Sequence, residues 1–341
     1  MDKQTVAVGR DLNRVPLHSV VPRSVPFAIG IAPSDICNFH CKYCNQATEN
    51  GIRDARIVPF EDFLGIVTQI EELLRDSSDR LKIIRFIGNG EPLVNKKTPD
   101  MVKYVADRNL ADRYEVTTNG SLLTHAMADQ LIEAGLTRLL VSVQGVTKEK
   151  YKDVCGFNID YEQFVEQLTY FYEKSRGRCK VGIKTVNVAI SSDEEEKNFF
   201  DIFSPICDEI SVENIIASNE DVDYSTMLTE AEMGLARYNV KLEPKICCDT
   251  LFMYMNIHSN GDVDACGCVY PPLYLGNVYN MPIRDIWNGK KHKEIMMKHL
   301  TGRRCDISKC AECVSIDHQN GFEQDNLDPY LDEILERVSK L

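Results

Sequence analysis

Six short apolar runs, separated by helical segments, constrain the fold of the first two thirds of this chain most strongly. The runs are rich in Val and Ile, and several are continuously apolar, as is typical of strands buried on both faces of a sheet. They span residues 27–32, 81–87, 113–118, 137–143, 180–188 and 208–214. Six successive strand–helix units predict a parallel sheet with helical crossovers, either an open doubly wound sheet or a partial barrel. The usual eight-unit barrel would need about 250 residues.

The pattern changes after residue 215. The stretch at 250–266 predicts a β-hairpin in which Asn260-Gly261 forms a two-residue turn of the primed type. We expect a helix over 283–300, then a cysteine-rich segment, and a polar C-terminal helix near 328–341. Because this part has few apolar runs, we expect bound metal to help to fold it.

The composition limits the possible partners and the compartment. The chain has 341 residues, 13 cysteines and a net charge of −13. This acidic balance argues against a nucleic-acid partner, because nucleic-acid binding needs a basic surface. No apolar stretch approaches the roughly 18 residues of a membrane span, and the N-terminus does not resemble a signal peptide, so we expect a cytoplasmic protein without a membrane partner. Clustered cysteines in a reducing compartment indicate metal binding or catalysis.

Three of the cysteines, Cys37, Cys41 and Cys44, form a C-x3-C-x2-C pattern soon after the first predicted strand. Parallel strand–helix folds place their functional groups at the carboxyl ends of the strands. A zinc site completed by His40 or a distant residue is one interpretation, although such sites usually build small loop-rich modules. Three thiolates on a [4Fe–4S] cluster would instead leave one iron open to a substrate or cofactor.

This pattern and its position resemble the radical S-adenosylmethionine (SAM) superfamily, and the resemblance covers about residues 25–215. It implies a partial (β/α)6 TIM-like barrel with a [4Fe–4S] cluster whose open iron binds the amino and carboxylate groups of SAM. It also implies that reduction of the cluster cleaves SAM to a 5′-deoxyadenosyl radical, which abstracts a hydrogen from the substrate. An external one-electron donor, such as a flavodoxin or ferredoxin, would then be a partner.

Other segments resemble the SAM-binding segments of that family. Tyr43 stands where the family carries an aromatic residue near the adenine. In GNGEP (88–92), Gly90 and Glu91 match a stretch that binds the SAM amino group, whereas Asn89 replaces its first glycine. A helix cap or a turn is the alternative role for such residues. The remaining polar candidates follow the third and fourth strands: Asn119, Ser142 and Gln144.

The C-terminal cysteines resemble the auxiliary-cluster extension called SPASM, or its shorter one-cluster form, the twitch domain. The pattern runs from Cys248 through Gly261 to Cys266, and a C-x2-C pair follows at Cys310 and Cys313. The resemblance implies a second, auxiliary [4Fe–4S] cluster with these four cysteines as its ligands. A structural zinc site on the same cysteines is the alternative. Three further cysteines compete as ligands: Cys247, Cys268 and Cys305.

Together these patterns predict an α/β chain in three parts. Residues 1–24 form an N-terminal extension, and residues 25–215 form the radical SAM core, a partial (β/α)6 barrel. Residues 216–341 form a small cysteine-rich α+β domain of the SPASM or twitch type, with a β-hairpin and a C-terminal helix.

The resemblance implies a radical enzyme but leaves its reaction open, because sites rather than folds decide function. The favoured hypothesis is the oxidation of a carbinol in a small polar molecule (a sugar, cyclitol or nucleotide sugar), with the auxiliary cluster as electron acceptor. Epimerisation would need a hydrogen donor, for which Cys268 is the candidate. Peptide modification is a third hypothesis, which the short stretch before the first strand disfavours because a leader-binding domain would not fit there. A non-catalytic iron–sulfur or zinc-binding scaffold is the alternative outside enzymes.

Overall fold

The computed structural model describes residues 15–48, 52, 55–75, 77–239, 241–266, 270–318 and 323–341. Six strands in the first two thirds of the chain match the six predicted runs. They are β1 (Ala28–Ile31), β2 (Leu81–Phe86), β3 (Ala111–Thr118), β4 (Arg138–Ser142), β5 (Lys180–Val186) and β6 (Glu209–Glu213). Three further strands follow: β7 (Tyr254–Ile257), β8 (Asp262–Asp264) and β9 (Tyr274–Asn277).

Helices connect the first six strands. They are α1 (Phe60–Arg75), α2 (Thr98–Asp107), α3 (His125–Glu133), α4 (Lys148–Cys155), α5 (Tyr161–Ser175) and α6 (Asp193–Phe203). The later helices are α7 (Glu230–Met233), α8 (Ile283–Trp287), α9 (Lys290–Leu300), α10 (Ser308–Ala311), α11 (Ser315–His318) and α12 (Leu331–Ser339). A membrane-spanning helix, long and apolar enough to cross a bilayer, is not found in the described part of the chain.

The described strands form one sheet in the order β6-β5-β4-β3-β2-β1-β7-β8-β9. The strands from β1 to β6 are all parallel, and each pairs with its neighbour in sequence. This order is what successive right-handed strand–helix–strand crossovers produce. The predicted α/β fold with six parallel strand–helix units is therefore confirmed.

The C-terminal hairpin continues the sheet of the barrel. Strand β7 pairs in parallel with β1, with Ile31 opposite Ile257, and β8 and β9 are added antiparallel. Apolar residues of this part, such as Phe252, Trp287 and Ile334, belong to the same buried core as the barrel. The C-terminal part thus packs on the apolar core of the barrel, and the expectation that bound metal helps to fold it stays a prediction. The predicted domain limits at residues 24 and 215 stay predictions.

The turn between β7 and β8 differs from the prediction. The Gly261 N–H donates to the His258 carbonyl oxygen at 2.9 Å, so Ser259 and Asn260 are the two central residues of the turn. Gly261 has a φ of +86°, but Asn260 is not among the described non-glycine residues with positive φ. A primed turn centred on Asn260 and Gly261 would need a positive φ at Asn260. The predicted turn type was therefore wrong, and the glycine occupies the left-handed position that follows the turn.

The helix predicted over 283–300 is two helices, α8 and α9, separated by Asn288 and Gly289. A Cβ atom on Gly289 would lie 1.9 Å from the Asp285 carbonyl oxygen, so the chain needs a glycine where it changes direction. The apolar residues of both segments follow one helical periodicity, so the sequence pattern does not predict where the first helix ends. The predicted C-terminal helix is confirmed as α12.

The two faces of the parallel sheet differ in chemistry. Phe86 of β2 packs against Phe63 of α1, with ring centroids 6.2 Å apart, so this face lies against the helices. The opposite face carries a layer of charged residues centred on Glu115 of β3, which is 1% exposed. Arg85 Nε lies 2.6 Å from Glu115 Oε1, and Arg138 Nε lies 3.7 Å from Glu115 Oε2. A buried carboxylate without such partners would be strongly destabilising.

We predict that Arg138→Met lowers the free energy of unfolding by about 3 kcal/mol, the lower end of the range for breaking a buried ion pair. Arg138 also lies 2.5 Å from Glu209, so the change leaves two buried carboxylates with one partner fewer. Urea unfolding of both proteins measures the difference. Lys197→Met removes the exposed pair with Asp201 and is the control, for which we expect no change in midpoint. Equal midpoints for wild type and Arg138→Met would contradict the prediction.

Candidate functional site

The loop after β1 carries the three half-buried cysteines of the first motif: Cys37, Cys41 and Cys44. Its backbone is anchored on the end of α4. The His40 N–H donates to the Cys155 carbonyl oxygen at 2.9 Å. The Lys42 N–H donates to the Val154 carbonyl oxygen, also at 2.9 Å. Two consecutive contacts of this kind hold the loop against the helix and fix where the cysteines lie.

The surroundings of these thiols disfavour their charged form. Burial raises the pKa of Cys37 to about 12, and it also raises the pKa of Cys44. The pKa of Cys41 is raised mainly by a hydrogen bond with Cys155 and also by burial. A bound metal group supplies the positive charge that stabilises such thiolates, because a coordinating thiol is deprotonated. Three neighbouring thiols whose surroundings disfavour a free thiolate therefore fit the ligand set of an iron–sulfur cluster.

Cys155, which belongs to neither of the two cysteine patterns in the sequence, is a neighbour of this loop. It is buried at the end of α4, and its Sγ lies 2.9 Å from the Tyr151 carbonyl oxygen. Its thiol also contacts Cys41, more than 100 positions away in the sequence. Only the packing of α4 beneath the loop brings the two together, so no local pattern could have indicated the contact.

The GNGEP segment after β2 packs closely against the cysteine loop. A Cβ atom on Gly90 would lie 2.5 Å from the Ile36 carbonyl oxygen, so only glycine fits this approach. The Glu91 N–H donates to the same carbonyl oxygen at 3.0 Å. The buried carboxylate of Asp35 accepts a hydrogen bond from the Asn89 N–H at 3.1 Å. The segment thus packs against the cysteine loop through its own backbone, which the Asp35 carboxylate also binds.

Glu91 is buried, and its carboxylate already has three donors within the chain. Oε1 accepts from Thr118 Oγ1 at 2.6 Å and from the Leu93 N–H at 2.9 Å. Oε2 accepts from the Asn119 N–H at 2.7 Å. Burial nevertheless raises the pKa of Glu91, although these bonds act in the opposite direction. An ionised carboxylate has about four acceptor positions, so one more donor can still bind there. Glu91 therefore orders the loops after β2 and β3 whatever else it binds.

The other predicted cofactor-binding residues lie around the same loop. Asn119 Nδ2 donates to Asn38 Oδ1 at 2.9 Å and lies 4.0 Å from Cys37 Sγ. The Tyr43 hydroxyl donates to Gln144 Oε1. Gln144 Nε2 in turn donates to the Ser142 carbonyl oxygen at 3.3 Å. The structure thus brings every one of these candidates to the carboxyl ends of β1 to β4.

A second site lies in the C-terminal part of the chain. A cavity of about 150 Å³ is lined by all four cysteines predicted as auxiliary ligands: Cys248, Cys266, Cys310 and Cys313. These residues come from three segments, which precede β7, follow β8 and include α10. Burial raises the pKa of Cys248, Cys266 and Cys310, and neighbouring cysteines raise it further, so the thiols lie close together. The cavity therefore combines residues that are far apart in sequence.

The competing cysteines lie elsewhere or outside the described residues. Cys247 is 1% exposed, and its N–H donates to Asp328 at 2.9 Å; it does not line the described cavity. Cys305 is exposed and does not line it either. Cys268 lies outside the described residues, so its assignment as a hydrogen donor or ligand stays a prediction.

His299 also lines the cavity, and it provides a test of what the cavity can hold. Its Nδ1 accepts from the Cys248 N–H at 3.2 Å, so in the neutral ring the proton lies on Nε2. Burial, with Arg304 nearby, lowers the pKa of His299 to about 4, which keeps the ring neutral. In the described structure Nε2 is buried and makes no hydrogen bond. A buried, unsatisfied donor beside four thiols fits a group that presents sulfur acceptors, as an iron–sulfur cluster does.

Across the described ranges, no three His, Cys, Asp or Glu side chains are placed to hold a single metal ion. The four-cysteine cavity is instead a space around which the thiols are arranged.

Comparison with family models identifies two domains, one around each group of cysteines. The model of the radical SAM superfamily matches residues 31–199, which include the first three cysteines and GNGEP. The model of an iron–sulfur cluster-binding domain, SPASM, matches residues 247–314, which include the four cysteines of the cavity.

Curated relatives match shorter regions. The GTP 3′,8-cyclase of Syntrophomonas wolfei is 33% identical over 123 residues, which are 36% of this chain and 35% of that protein. The probable GTP 3′,8-cyclase of Methanocaldococcus jannaschii is 28% identical over 163 residues, 48% of this chain and 51% of that protein. The chain thus aligns with about a third to a half of the length of these relatives.

Solved structures match over most of the chain. BtrN in complex with AdoMet and 2-DOIA has a TM-score of 0.56 and 16% identity, covering 88% of this chain and 98% of BtrN. Streptococcus suis SuiB bound to the precursor peptide SuiA has a TM-score of 0.58 and 18% identity, covering 92% of this chain and 77% of SuiB. At these identities the likeness shows the fold alone.

We predict that Cys248→Ala removes about four iron atoms per chain from anaerobically reconstituted protein, because the auxiliary cluster loses a ligand. Cys247→Ala is a matched control at the adjacent position, where the side chain is buried but lies outside the cavity. We expect this variant to retain its iron. Iron and acid-labile sulfide assays measure both. Loss of iron from Cys247→Ala with retention in Cys248→Ala would reverse the ligand assignment.

Proposed function

Because the chain carries a radical SAM domain followed by an iron–sulfur cluster-binding SPASM domain, we propose that it oxidises a carbinol in a small polar molecule. A radical SAM domain binds a [4Fe–4S] cluster with SAM, and a SPASM domain binds auxiliary iron–sulfur clusters. The single observation that carries the proposed reaction is the set of four cysteines around the auxiliary cavity. Four thiolates can ligate every iron of one [4Fe–4S] cluster, which leaves none open to substrate. A closed cluster is suited to accept an electron, as an oxidation requires.

In this proposal Cys37, Cys41 and Cys44 hold the SAM-binding cluster. When bound and reduced, that cluster with SAM supplies the 5′-deoxyadenosyl radical that abstracts hydrogen from the substrate. The residues of the chain orient the cofactor around it. We assign SAM binding to the residues that converge on the loop: Tyr43, Gly90, Glu91, Asn119, Ser142 and Gln144. The auxiliary cluster would be held by Cys248, Cys266, Cys310 and Cys313.

A group of three charged side chains near Ser142 supports a polar substrate. Lys184 of β5 is in register with Ser142, and its Nζ lies 2.9 Å from Glu213 Oε2 at the end of β6. Arg237 Nε lies 3.9 Å from the same oxygen. Burial acts to raise the pKa of Glu213, but these two cations hold it below its ordinary value. A fixed carboxylate between two cations can position hydroxyl groups by hydrogen bonds, which favours a carbohydrate-like molecule over an apolar one.

The experiment that tests this function is an anaerobic assay with SAM, a reductant and a substrate panel. The panel contains sugars, cyclitols and nucleotide sugars on one side and short peptides on the other, with flavodoxin or ferredoxin as the alternative electron source. We expect 5′-deoxyadenosine together with a carbohydrate product that has lost two hydrogens. A product of unchanged mass with one inverted centre would favour an epimerase, and turnover of peptides alone would favour a maturase. A Cys37→Ala variant is the control and should form neither product.

We predict that Glu91→Ala retains both clusters but binds SAM about ten- to a hundredfold more weakly, the effect of losing a charged hydrogen bond worth about 1.5–3 kcal/mol. The change removes an acceptor for the SAM ammonium group and also frees the Asn119 N–H. Isothermal titration under anaerobic conditions measures the affinity. Glu166→Ala, at an exposed carboxylate paired with His125, is the control. Unchanged SAM affinity in Glu91→Ala, with iron intact, would limit Glu91 to its role in the loops.

A further inference from the structure

A line of hydrogen-bonded side chains leads from the cysteine loop toward the auxiliary cavity. The function proposed above assigns no role to the residues between its two ends, which are Asn45, Asn89, His258 and Asp264. The line begins at Cys44, whose Sγ lies 2.9 Å from Oδ1 of the buried Asn45. Asn45 Nδ2 donates to Asn89 Oδ1 at 3.4 Å. Asn89 is the residue that replaces the first glycine of the family's Gly-Gly-Glu stretch, so this chain has a side chain where that pattern has none.

The line continues into the SPASM domain. Asn89 Nδ2 lies 3.3 Å from Nδ1 of His258, the residue directly after β7. His258 Nε2 lies 2.5 Å from Asp264 Oδ2. The other carboxylate oxygen, Asp264 Oδ1, accepts from the Cys266 N–H at 2.8 Å. Cys266 lines the auxiliary cavity, so the line joins one cysteine of each proposed cluster site.

The backbone on both sides of the line is fixed by one carboxylate. Asp35, which is 3% exposed, accepts from the Asn89 N–H through Oδ1 at 3.1 Å. Its Oδ2 accepts from the Ser259 N–H at 2.9 Å. The Asp35 carboxylate therefore fixes the distance between the backbone at Asn89 and the backbone next to His258.

The hydrogen bonds along this line from Cys44 to His258 all have the same direction of donation. In the structure each donor points away from Cys44: the thiol toward Asn45, Asn45 toward Asn89, and Asn89 toward His258. A thiolate that ligates a cluster has no proton and can only accept. With the cluster bound, Asn45 must turn its amide so that Nδ2 donates to Cys44, and Asn89 must then turn as well. Such amide turns exchange two groups of nearly equal size and need no backbone movement.

When the hydrogen bonds run in the opposite direction, toward Cys44, the first donor is the His258 ring. His258 would then donate from Nδ1 to Asn89 and from Nε2 to Asp264. The charged groups around its ring are carboxylates, Asp264, Asp35 and Asp262, and Tyr274 packs against it edge-on at 5.7 Å. Burial acts to lower the pKa of His258, yet these carboxylates raise it above its ordinary value. These carboxylates therefore favour the doubly protonated ring, which can donate hydrogen bonds from both nitrogens.

We propose that Asn45, Asn89 and His258 form a hydrogen-bond relay between the two cluster sites, and that this relay sets the reduction potential of the SAM-binding cluster through the hydrogen bond on Cys44. The inference rests on the cluster sites proposed above. Hydrogen bonds to ligand sulfurs favour the reduced, more negative cluster, and they are one of the main determinants of its potential. Asn89 and His258 are positioning residues, because they act only through Asn45.

The test is an anaerobic redox titration of the reconstituted protein, followed by electron paramagnetic resonance of the SAM-binding cluster. The variants are Asn45→Ala, which removes the bond to Cys44, and Asn89→Ala and His258→Phe, which interrupt the relay at greater distance. We expect each to make the potential more negative at unchanged iron content. The expected size is about a tenfold change in the ratio of reduced to oxidised cluster at a fixed potential, which is about 59 mV for a one-electron couple.

Two further measurements separate the relay from a local structural effect. If Asn89 and His258 act along one line, the double variant shifts the potential no further than either single variant. His125→Phe, at an exposed histidine paired with Glu166, is the matched control and should leave the potential unchanged. Wild-type potentials in Asn89→Ala and His258→Phe at full iron content, or additive shifts in the double variant, would overturn the relay. The assay contains no substrate, so a failure of the proposed oxidation would not produce either result.

Discussion

The rest of the structure depends on the parallel pairing of β1 with β7. This pairing gives β1 a neighbour on each edge, the barrel through β2 and the SPASM hairpin through β7. The loop that carries the first three cysteines therefore emerges between the two domains rather than at a sheet edge. With Ile31 opposite Ile257, the two strands end at the same level, and Asp35 can bind the backbone on both sides. A slip of one residue would turn alternate side chains to the wrong face and separate these groups.

The pairing of β1 with β7 also explains why hydrogen-bonded side chains can connect the two groups of cysteines. The His258 turn follows β7, and the GNGEP segment follows β2, so both reach the carboxyl end of β1 from opposite sides. Polar groups buried at this point must find partners within the protein, because each unsatisfied one costs about 1–3 kcal/mol. Glu91 and Asp35 meet that requirement with backbone N–H groups of neighbouring loops, and Asp264 meets it with the Cys266 N–H, two residues further along its own segment. The result is a polar frame, held by hydrogen bonds within the chain, between the two groups of cysteines.

Much of the fold and part of the site could be predicted because the signals are local. The six strands have continuous apolar runs, and the spacing of Cys37, Cys41 and Cys44 is specific without any knowledge of the fold. The failures arose where the sequence pattern does not distinguish between two local backbone geometries. Helical periodicity runs through Gly289, but close approach to the Asp285 carbonyl breaks the helix there. The glycine of the β7–β8 turn was assigned one position too early, because its sequence neighbours fit either turn.

The sequence by itself determined the class of the protein: the order of strands and helices, the two cysteine patterns and the resemblance to radical SAM enzymes that they carry. These features depend on residues a few positions apart, whose spacing survives in any fold that they build. Only the tertiary structure decided which cysteines share a cavity, that Cys155 contacts Cys41, and that His258 and Asn89 meet between the two sites. The last two contacts join residues separated by more than 100 positions, and they exist because α4 packs under the cysteine loop and β7 pairs with β1. Packing between such distant segments leaves no periodic trace in a single sequence.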